Sequence, residues 1–167
     1  YQVVYRAFNS RPFASCERIV LPDDPDVYRR RRLKPSSLET GRPIASFDLL
    51  AFSVSYDLDI PGFFELLDLG GVPIEREKRT NHHPPVLLGG PLTASNVLPF
   101  GPFIDAAVVG DGERAVEALL DILELSPDRE DFKLREAKVP GVCVTELNGE
   151  RVPTTQKVTI DALQSVG

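Results

Sequence analysis

Two glycine-rich turns and one pair of serines are the residues of this chain best suited to contact a ligand. Each group follows an apolar run typical of a buried strand; the members are Ser53 and Ser55, then Gly89, Gly90 and Pro91, then Gly110, Asp111, Gly112 and Glu113. Glycine permits positive φ and lets backbone amides come close to an anion or a ring. Serine hydroxyls at a strand end can hydrogen-bond a phosphate or a nucleotide tail. The alternative is that the glycines only turn the chain between strand and helix.

No residues form a recognisable catalytic centre. His82 and His83 are adjacent, so on an extended segment they point to opposite sides and cannot bind one metal ion. The nucleophile motif G-x-S-x-G and the phosphate loop G-x-x-x-x-G-K-S/T are both missing, and the turn at Gly110 lacks the third glycine of a dinucleotide-binding fingerprint. Cys16 and Cys143 match no metal or redox spacing and are predicted to be buried thiols of a reduced protein.

The elements that would position these residues alternate between strands and helices. The predicted order is a helix at 1–9, a strand at 16–21, a loop, a strand at 48–55, a helix at 59–70, a strand around Leu87, a short helix, a strand at 106–109, a helix at 113–123 and a hairpin at Asn148-Gly149. Residues 23–35 are predicted to form a loop with a single helical turn. Asp59 is predicted to cap the helix that follows it, and Asp111 the helix at 113–123.

This alternation is typical of a parallel sheet with helices on both faces, where ligands bind beyond the carboxyl ends of the strands. We predict an α/β fold with a flavodoxin-like (Rossmann-like), doubly wound parallel sheet, whose first strand precedes residue 1, and with a C-terminal β-hairpin. Residues 1–125 are assigned to the α/β domain, and residues 126–167 to a charged connector, the hairpin and a linker toward a downstream domain. The lack of methionine and the start at Tyr1 indicate part of a longer protein.

Composition limits the classes of partner. With 42% apolar and 26% charged residues, the chain is typical of a globular protein. The net charge of -6 gives no support for direct nucleic-acid binding. The basic run at 29–32 with Lys34 is predicted to be solvated, the alternative being a local anion patch. No apolar stretch approaches the roughly 20 residues that span a bilayer, so we expect no membrane partner. The two unpaired cysteines predict a reduced, cytoplasmic location.

The run FDLLAFSVSYDLDIPGFF, the turn PPVLLGGPLTASN and the run FIDAAVVGDGERAVEALL together resemble the cobalamin-binding-like domain at the amino end of fused radical S-adenosylmethionine (radical SAM) proteins. Upstream, YQVVYRAFNSRPFASCERIVLP resembles the first crossover helix and second strand of that domain, and VPGVCVTE resembles the short strand that follows it. The resemblance extends from Tyr1 to about Thr145. Its most specific pieces are FSVSY, LLGGP and VVGDGE, in that order.

The resemblance implies a site and a partner. Ser53 and Ser55 would face the nucleotide tail of cobalamin, the turn at Gly89, Gly90 and Pro91 would lie against it, and the turn from Gly110 to Glu113 would close the rim. The partner would be a downstream radical SAM barrel in the same chain, which would hold the iron–sulfur cluster and S-adenosylmethionine.

Two family motifs are absent from this chain. The cobalt-binding motif D-x-H-x-x-G would fall before Tyr1, and the cluster motif C-x-x-x-C-x-x-C would fall beyond Gly167. Three functions therefore stay open. The chain is an accessory domain that binds cobalamin or keeps its fold as a vestigial cap on the barrel, a stand-alone module for a flavin or nucleotide, or a protein-interaction domain.

Overall fold

The computed structural model of the protein describes residues 2–110, 112–125, 139 and 141–144. Its helices and strands are, in chain order, α1 (Gln2–Phe8), α2 (Pro25–Arg31), β1 (Leu50–Ser53), α3 (Ile60–Gly70), β2 (Val86–Gly89), β3 (Ala106–Val108), α4 (Gly112–Leu125) and β4 (Val142–Val144). Short 3-10 helices connect several of them, among them Pro91–Ala94 after β2. The predicted hairpin at Asn148-Gly149 and the charged connector at 126–138 lie outside the described residues.

The strands form one open, mostly parallel sheet in the order β1-β2-β3-β4. β1 pairs with β2 and β2 with β3 in parallel, with Leu50 opposite Val86 and Leu88 opposite Ala107. β4 is antiparallel to β3, with Cys143 opposite Ala107. The predicted α/β class is therefore confirmed, and the described strand order is consistent with a flavodoxin-like sheet.

Helices cover both faces of the sheet at β2 and β3, which are apolar and buried on both sides. On one face, Phe63 and Leu67 of α3 pack with Leu50 and Leu88 in one cluster. On the other face, α4 packs on the sheet through residues that include Ala115 and Leu119, against Leu87, Ala106 and Val108. A third cluster joins α4 to α1 through Phe8, Val116 and Leu120. Among the described residues, no helix combines the length and apolarity that crossing a bilayer requires.

The helix limits follow local sequence signals. α3 has a proline in its first turn, and its predicted stop is confirmed because Gly71 ends it in the left-handed conformation, with φ of 73°. α4 matches the predicted helix at 113–123 with one or two extra residues at its ends. α2 has seven residues, whereas the sequence predicts a loop with a single helical turn at this place. Its signal was present in the sequence, because Asp24 accepts a hydrogen bond from the Val27 N–H and Pro25 stands in the first turn.

The predicted strand at 16–21 is wrong. These residues form no ladder with another described strand. Instead, the Arg18 N–H donates to Glu39 Oε2 at 2.7 Å, and the Arg18 carbonyl accepts from the Leu38 N–H at 2.8 Å. The Cys16 N–H donates to the Asn9 side chain. Side chains and a loop thus use the backbone groups that a neighbouring strand would bond.

A buried ion pair joins the amino ends of β2 and β3. Arg79 Nη1 lies 2.8 Å from Asp105 Oδ2, and neither side chain is accessible to solvent beyond 1%. The same carboxylate oxygen accepts the Val86 N–H at 2.8 Å. Arg79 also donates to the carbonyls of Pro73, Ile74 and Phe103. The loop that precedes β2 is therefore held against the first residues of both strands.

Candidate functional site

The carboxyl ends of the parallel strands meet at one edge of the sheet, as the sequence predicts. Ser53 ends β1 and stands opposite Gly89, which ends β2. Ser55 follows β1, Gly90 and Pro91 follow β2, and Gly110 follows β3. We call these residues the carboxyl-end rim: Ser53, Ser55, Gly89, Gly90, Pro91 and Gly110. Asp111 lies outside the described residues, as does the side chain of Glu113.

A carboxylate occupies the end of β1. Asp59 Oδ2 accepts hydrogen bonds from the backbone N–H groups of Ser55 at 2.9 Å and Tyr56 at 3.0 Å. These two bonds hold the pKa of Asp59 below its ordinary value. The prediction that Asp59 caps α3 is therefore wrong, since no cap bond from its side chain to α3 is present. The amides of Ser55 and Tyr56, which could otherwise bind an anionic ligand, are therefore already bonded to the Asp59 carboxylate.

Gly90 is a glycine because the backbone of β1 passes next to it. Its φ is 103°, and a Cβ atom there would lie only 2.5 Å from the carbonyl oxygen of Val54. The Val54 N–H donates to the Gly89 carbonyl at 2.9 Å, and the Val54 carbonyl accepts from the Leu92 N–H at 3.2 Å. Close approach of backbone does require glycine at this turn. The approaching group is the protein's own chain.

Thr93 is a residue of this region that sequence reasoning missed. Its side chain is buried, and its Oγ1 lies 2.8 Å from the Gly90 carbonyl oxygen and 2.7 Å from that of Val108. The hydroxyl can donate to one of these oxygens at a time. It joins the turn after β2 to the end of β3 and fills the space between them. The signal was a threonine in the first turn of a short helix, where its hydroxyl reaches the carbonyl three residues back.

The turn after β3 is the open part of the rim. Gly110 has φ of 96°, and no atom of the residues that the structure describes lies within 4 Å of the position that a Cβ atom would take. Gly112 begins α4, and a Cβ there would meet Val4 Cγ2 of α1 at 3.6 Å, so this glycine contacts protein. Ser53 is also exposed, and a Cβ at Gly89 would make only ordinary contacts. Gly110, Ser53 and Gly89 are thus the rim positions with room beside them.

Large apolar side chains are exposed on the segments that follow β1 and β2. Tyr56 and Leu58, which follow β1, are 74% and 90% exposed, and Leu98, in the loop after β2, is 69% exposed. Exposed apolar side chains mark a contact surface where they form one patch, and these three are the candidates for such a patch near the carboxyl ends of β1 and β2. We call Tyr56, Leu58 and Leu98 the apolar loop residues.

The structure offers only part of what a cobalamin tail would need. The rim amides at Ser55 and Tyr56 are bonded to Asp59, and the space at Gly90 is filled by Val54. Within the described ranges, no group of three His, Cys, Asp or Glu side chains is arranged to hold a metal ion. Two surface concavities of about 240 and 290 Å³ are lined by residues of α1 with Arg18 and by residues 68–75, away from the rim.

The comparison with protein families gives a match over most of the chain. A family model described as the N-terminal region of radical SAM proteins matches residues 1–145. Comparisons with curated proteins and with solved structures found no match. The match takes in every described element from α1 to β4. The chain belongs to the family of N-terminal domains of radical SAM proteins.

Proposed function

We propose that this chain is a non-catalytic accessory domain that packs on the radical SAM catalytic domain of the same protein. The observation that carries the proposal is the contrast between bonded polar groups at the carboxyl ends of β1 and β2 and exposed apolar side chains on the segments that follow these strands. Asp59 bonds the amide of Ser55 and Thr93 bonds the carbonyl of Val108, whereas the apolar loop residues are exposed to solvent. Burying one such side chain completely contributes about 1.5–3 kcal/mol to association.

The family implies that the iron–sulfur cluster and S-adenosylmethionine belong to the catalytic domain. Radical chemistry would be supplied by those groups. On this proposal, the contribution of the present chain is to position and shield the catalytic domain. A cytoplasmic location, the absence of nucleic-acid binding and the domain limit at residue 125 stay predictions.

Hydroxyl-radical footprinting of the complete protein tests the packing. Tyr56, Leu58 and Leu98 should react slowly because the catalytic domain covers them. Leu38 is the matched control, since it is a leucine with 57% exposure in a separate loop, and it should react at the rate of an exposed leucine. If Leu58 and Leu98 react as fast as Leu38 in the complete protein, this packing surface is wrong.

A second candidate function is binding of cobalamin by its nucleotide tail. The space that the described residues leave at Gly110, after β3, and the exposure of Ser53, at the end of β1, favour it. The proposed contacts are those implied by the resemblance: Ser53, Ser55, Gly89, Gly90, Pro91, Gly110, Asp111, Gly112 and Glu113. The tail would lie along Ser53 and Gly110, because these positions have room, and the group would add cobalt chemistry that no residue here supplies.

Titration of the protein with hydroxocobalamin decides this second function. Binding should change the visible spectrum, and the titration should give a dissociation constant well below 1 mM. A dissociation constant of 1 mM corresponds to a binding free energy of only about -4 kcal/mol. Ser53→Tyr places a large side chain where the tail is proposed to lie and should abolish the change, whereas Leu38→Tyr should leave it intact. No spectral change at millimolar cobalamin would leave only the packing function. Release of a flavin or nucleotide on denaturation would instead support the stand-alone module.

A further inference from the structure

A short basic segment stands at the end of α2. Its members are exposed, and their side chains form no ion pair with any residue that the structure describes; we call them the basic turn, namely Arg30, Arg31, Arg32 and Lys34. The preceding Arg29 differs, since its Nη2 lies 2.8 Å from Glu65 and 3.1 Å from Asp68 of α3. Arg29 therefore holds the end of α2 on α3, and the basic turn is left to contact something else.

The basic turn borders a surface concavity of about 290 Å³ that residues 68–75 line at the end of α3. Lys34 Nζ lies 2.9 Å from where a Cβ at Gly71 would be, and Gly71 lines the concavity. Asp68, which Arg29 bonds, lines it as well. Positive side chains thus reach its edge at two places, so the basic turn and the concavity form one continuous surface.

The floor of the concavity is partly apolar and is held in place. Val72 is buried, and Ile74 packs against the main apolar cluster. Arg79 donates hydrogen bonds to the Pro73 carbonyl at 2.8 Å and to the Ile74 carbonyl at 2.9 Å. An apolar side chain could therefore be accepted here without the cost of ordering the floor, which favours binding.

The two carboxylates beside the concavity are already paired. Asp68 is bonded by Arg29, and Glu75 Oε1 lies 3.1 Å from Lys78 Nζ. Their negative charges are thus balanced by nearby cations. The uncompensated charge at this surface is that of the basic turn, and it is positive.

Arg32 occupies its place in the basic turn at a cost in stability. Its φ is 54°, and it is the one residue other than glycine with positive φ in the part of the chain that the structure describes. This conformation costs about 1–2 kcal/mol for a residue with a side chain, and a glycine usually ends a helix there, as Gly71 does in α3. Strain of this kind is typical of functional sites, which indicates that the charge of Arg32 is used.

This surface lies away from the apolar loop residues. α3 begins after the carboxyl end of β1 and ends before the amino end of β2, so its last residues lie beside the amino ends of the parallel strands. The concavity follows α3 and is therefore at the opposite end of the sheet from the carboxyl-end rim. It stays accessible when the catalytic domain packs at the rim.

We propose that the basic turn and the concavity bind an acidic segment of a partner protein, with carboxylates on the basic turn and an apolar side chain in the concavity. Arginine guanidinium groups bind carboxylates through paired hydrogen bonds. A nucleic acid fits less well, because its closely spaced phosphates would also meet the exposed carboxylates of Asp23, Asp24 and Asp26. This inference concerns a second surface and does not rest on the proposed function.

Fluorescence anisotropy of labelled peptides added to the complete protein tests the proposal. One probe is a short synthetic peptide of glutamates and leucines, and the other has serine in place of each leucine and the same charge. At low ionic strength the leucine peptide should bind with a dissociation constant below about 100 μM. It should bind at least about threefold more tightly than the serine peptide, because only leucine buries apolar surface in the concavity.

Three variants of the protein separate this surface from general charge effects. Arg31→Glu should weaken binding of the leucine peptide at least about fivefold, because it reverses one charge of the basic turn. Arg6→Glu is the matched control, since Arg6 is also an exposed arginine in the last turn of a seven-residue helix, and it should change the affinity by less than about twofold. Arg32→Gly should weaken binding while it relieves the positive φ, so unfolding would not account for its loss.

Three results would overturn the proposal. The first is equal affinity for the wild type and Arg31→Glu, or for the two peptides. The second is tighter binding of an oligonucleotide than of the leucine peptide at the same ionic strength, because the basic turn would then bind phosphates. The third is self-association of the protein that Arg31→Glu abolishes, since residues 23–26 of a second copy would then occupy the basic turn.

Discussion

Replacement of Asp105 by alanine should destabilise the protein strongly, because it leaves the Arg79 guanidinium buried without its charged partner. The two side chains are buried and 2.8 Å apart. The Val86 N–H, which donates to the same carboxylate oxygen, would lose its acceptor as well. Both effects act at the amino ends of β2 and β3, where the sheet begins.

The size of the effect follows from burial. Loss of one partner of a buried ion pair costs about 3–5 kcal/mol, and an orphaned buried N–H costs about 1–3 kcal/mol. Arg79 keeps its carbonyl acceptors at Pro73, Ile74 and Phe103, which offset part of this cost. We expect a net loss of about 3–5 kcal/mol, which lowers Tm by about 6–20 °C for a chain of this length.

Urea unfolding followed by circular dichroism measures the effect, since the chain has no tryptophan to report by fluorescence. Asp105→Asn retains an oxygen acceptor for Val86, so its loss should be smaller than that of Asp105→Ala. In the double variant Arg79→Met/Asp105→Ala, the loss should fall short of the sum of the single losses by at least about 1 kcal/mol.

A surface ion pair provides the control. Lys78 and Glu75 are 3.1 Å apart, but their side chains are 62% and 44% exposed. Lys78→Ala should therefore change the free energy of unfolding by no more than about 1 kcal/mol. A loss for Asp105→Ala no larger than that of Lys78→Ala would refute the reasoning, because it would mean that Asp105 carries no buried charge partner in solution.

Three further predictions concern the backbone. Gly90→Ala should destabilise by at least about 2 kcal/mol more than Gly110→Ala, because both have positive φ but only Gly90 lies against Val54; equal losses in urea unfolding would contradict this. Arg32→Gly should stabilise by about 0.5–1 kcal/mol, since Arg32 ends α2 at φ of 54°, and a lower urea midpoint would show otherwise. Asp59 has a lowered pKa in the folded state, so its contribution is present above the unfolded pKa of about 3.9 and is lost as pH falls through the lower folded value. The stability difference between the wild type and Asp59→Asn should accordingly shrink from pH 6 to below pH 3, and a constant difference would count against this role.

Local patterns were sufficient to predict most of the sheet. The apolar runs that became β1, β2 and β3 are bounded by glycine or polar residues, and the spacing of Val116, Leu119 and Leu120 predicts the buried face of α4. These signals lie within a few residues of the elements they specify, so the sequence shows them directly. The same holds for the stop of α3 at Gly71.

At residues 16–21 and at Arg79 the sequence fails because the partners are distant along the chain, whereas at Asp59 it fails to choose between two nearby sets of amides. Residues 16–21 have the composition of a strand, but pairing depends on a neighbour that composition does not reveal. Arg79 and Asp105 are 26 positions apart, and nothing near either residue indicates that they meet. The Asp59 carboxylate could accept from the first amides of α3 or from those of Ser55 and Tyr56. In the structure it accepts from Ser55 and Tyr56.

At the candidate site, the glycines show most clearly what a sequence pattern cannot predict. Gly90 and Gly110 look equivalent in sequence, since both follow an apolar strand. In the structure Gly90 is packed against Val54, whereas Gly110 is open. A glycine indicates that something comes close or that φ is positive, but it does not tell whether the close group is a ligand or the chain itself.

The two ends of the sheet differ in how easily they can deform. The amino ends of β2 and β3 are tied by the buried Arg79–Asp105 pair and its carbonyl acceptors. Beyond the carboxyl end of β1, residues 55–59 are all intermediate or exposed and carry Tyr56 and Leu58 in water, which is the condition for low local stability. The domain should therefore combine a stiff amino end of the sheet with a deformable segment after β1. Any adjustment on docking would be absorbed by this segment, and the strand spacing beneath it would not change.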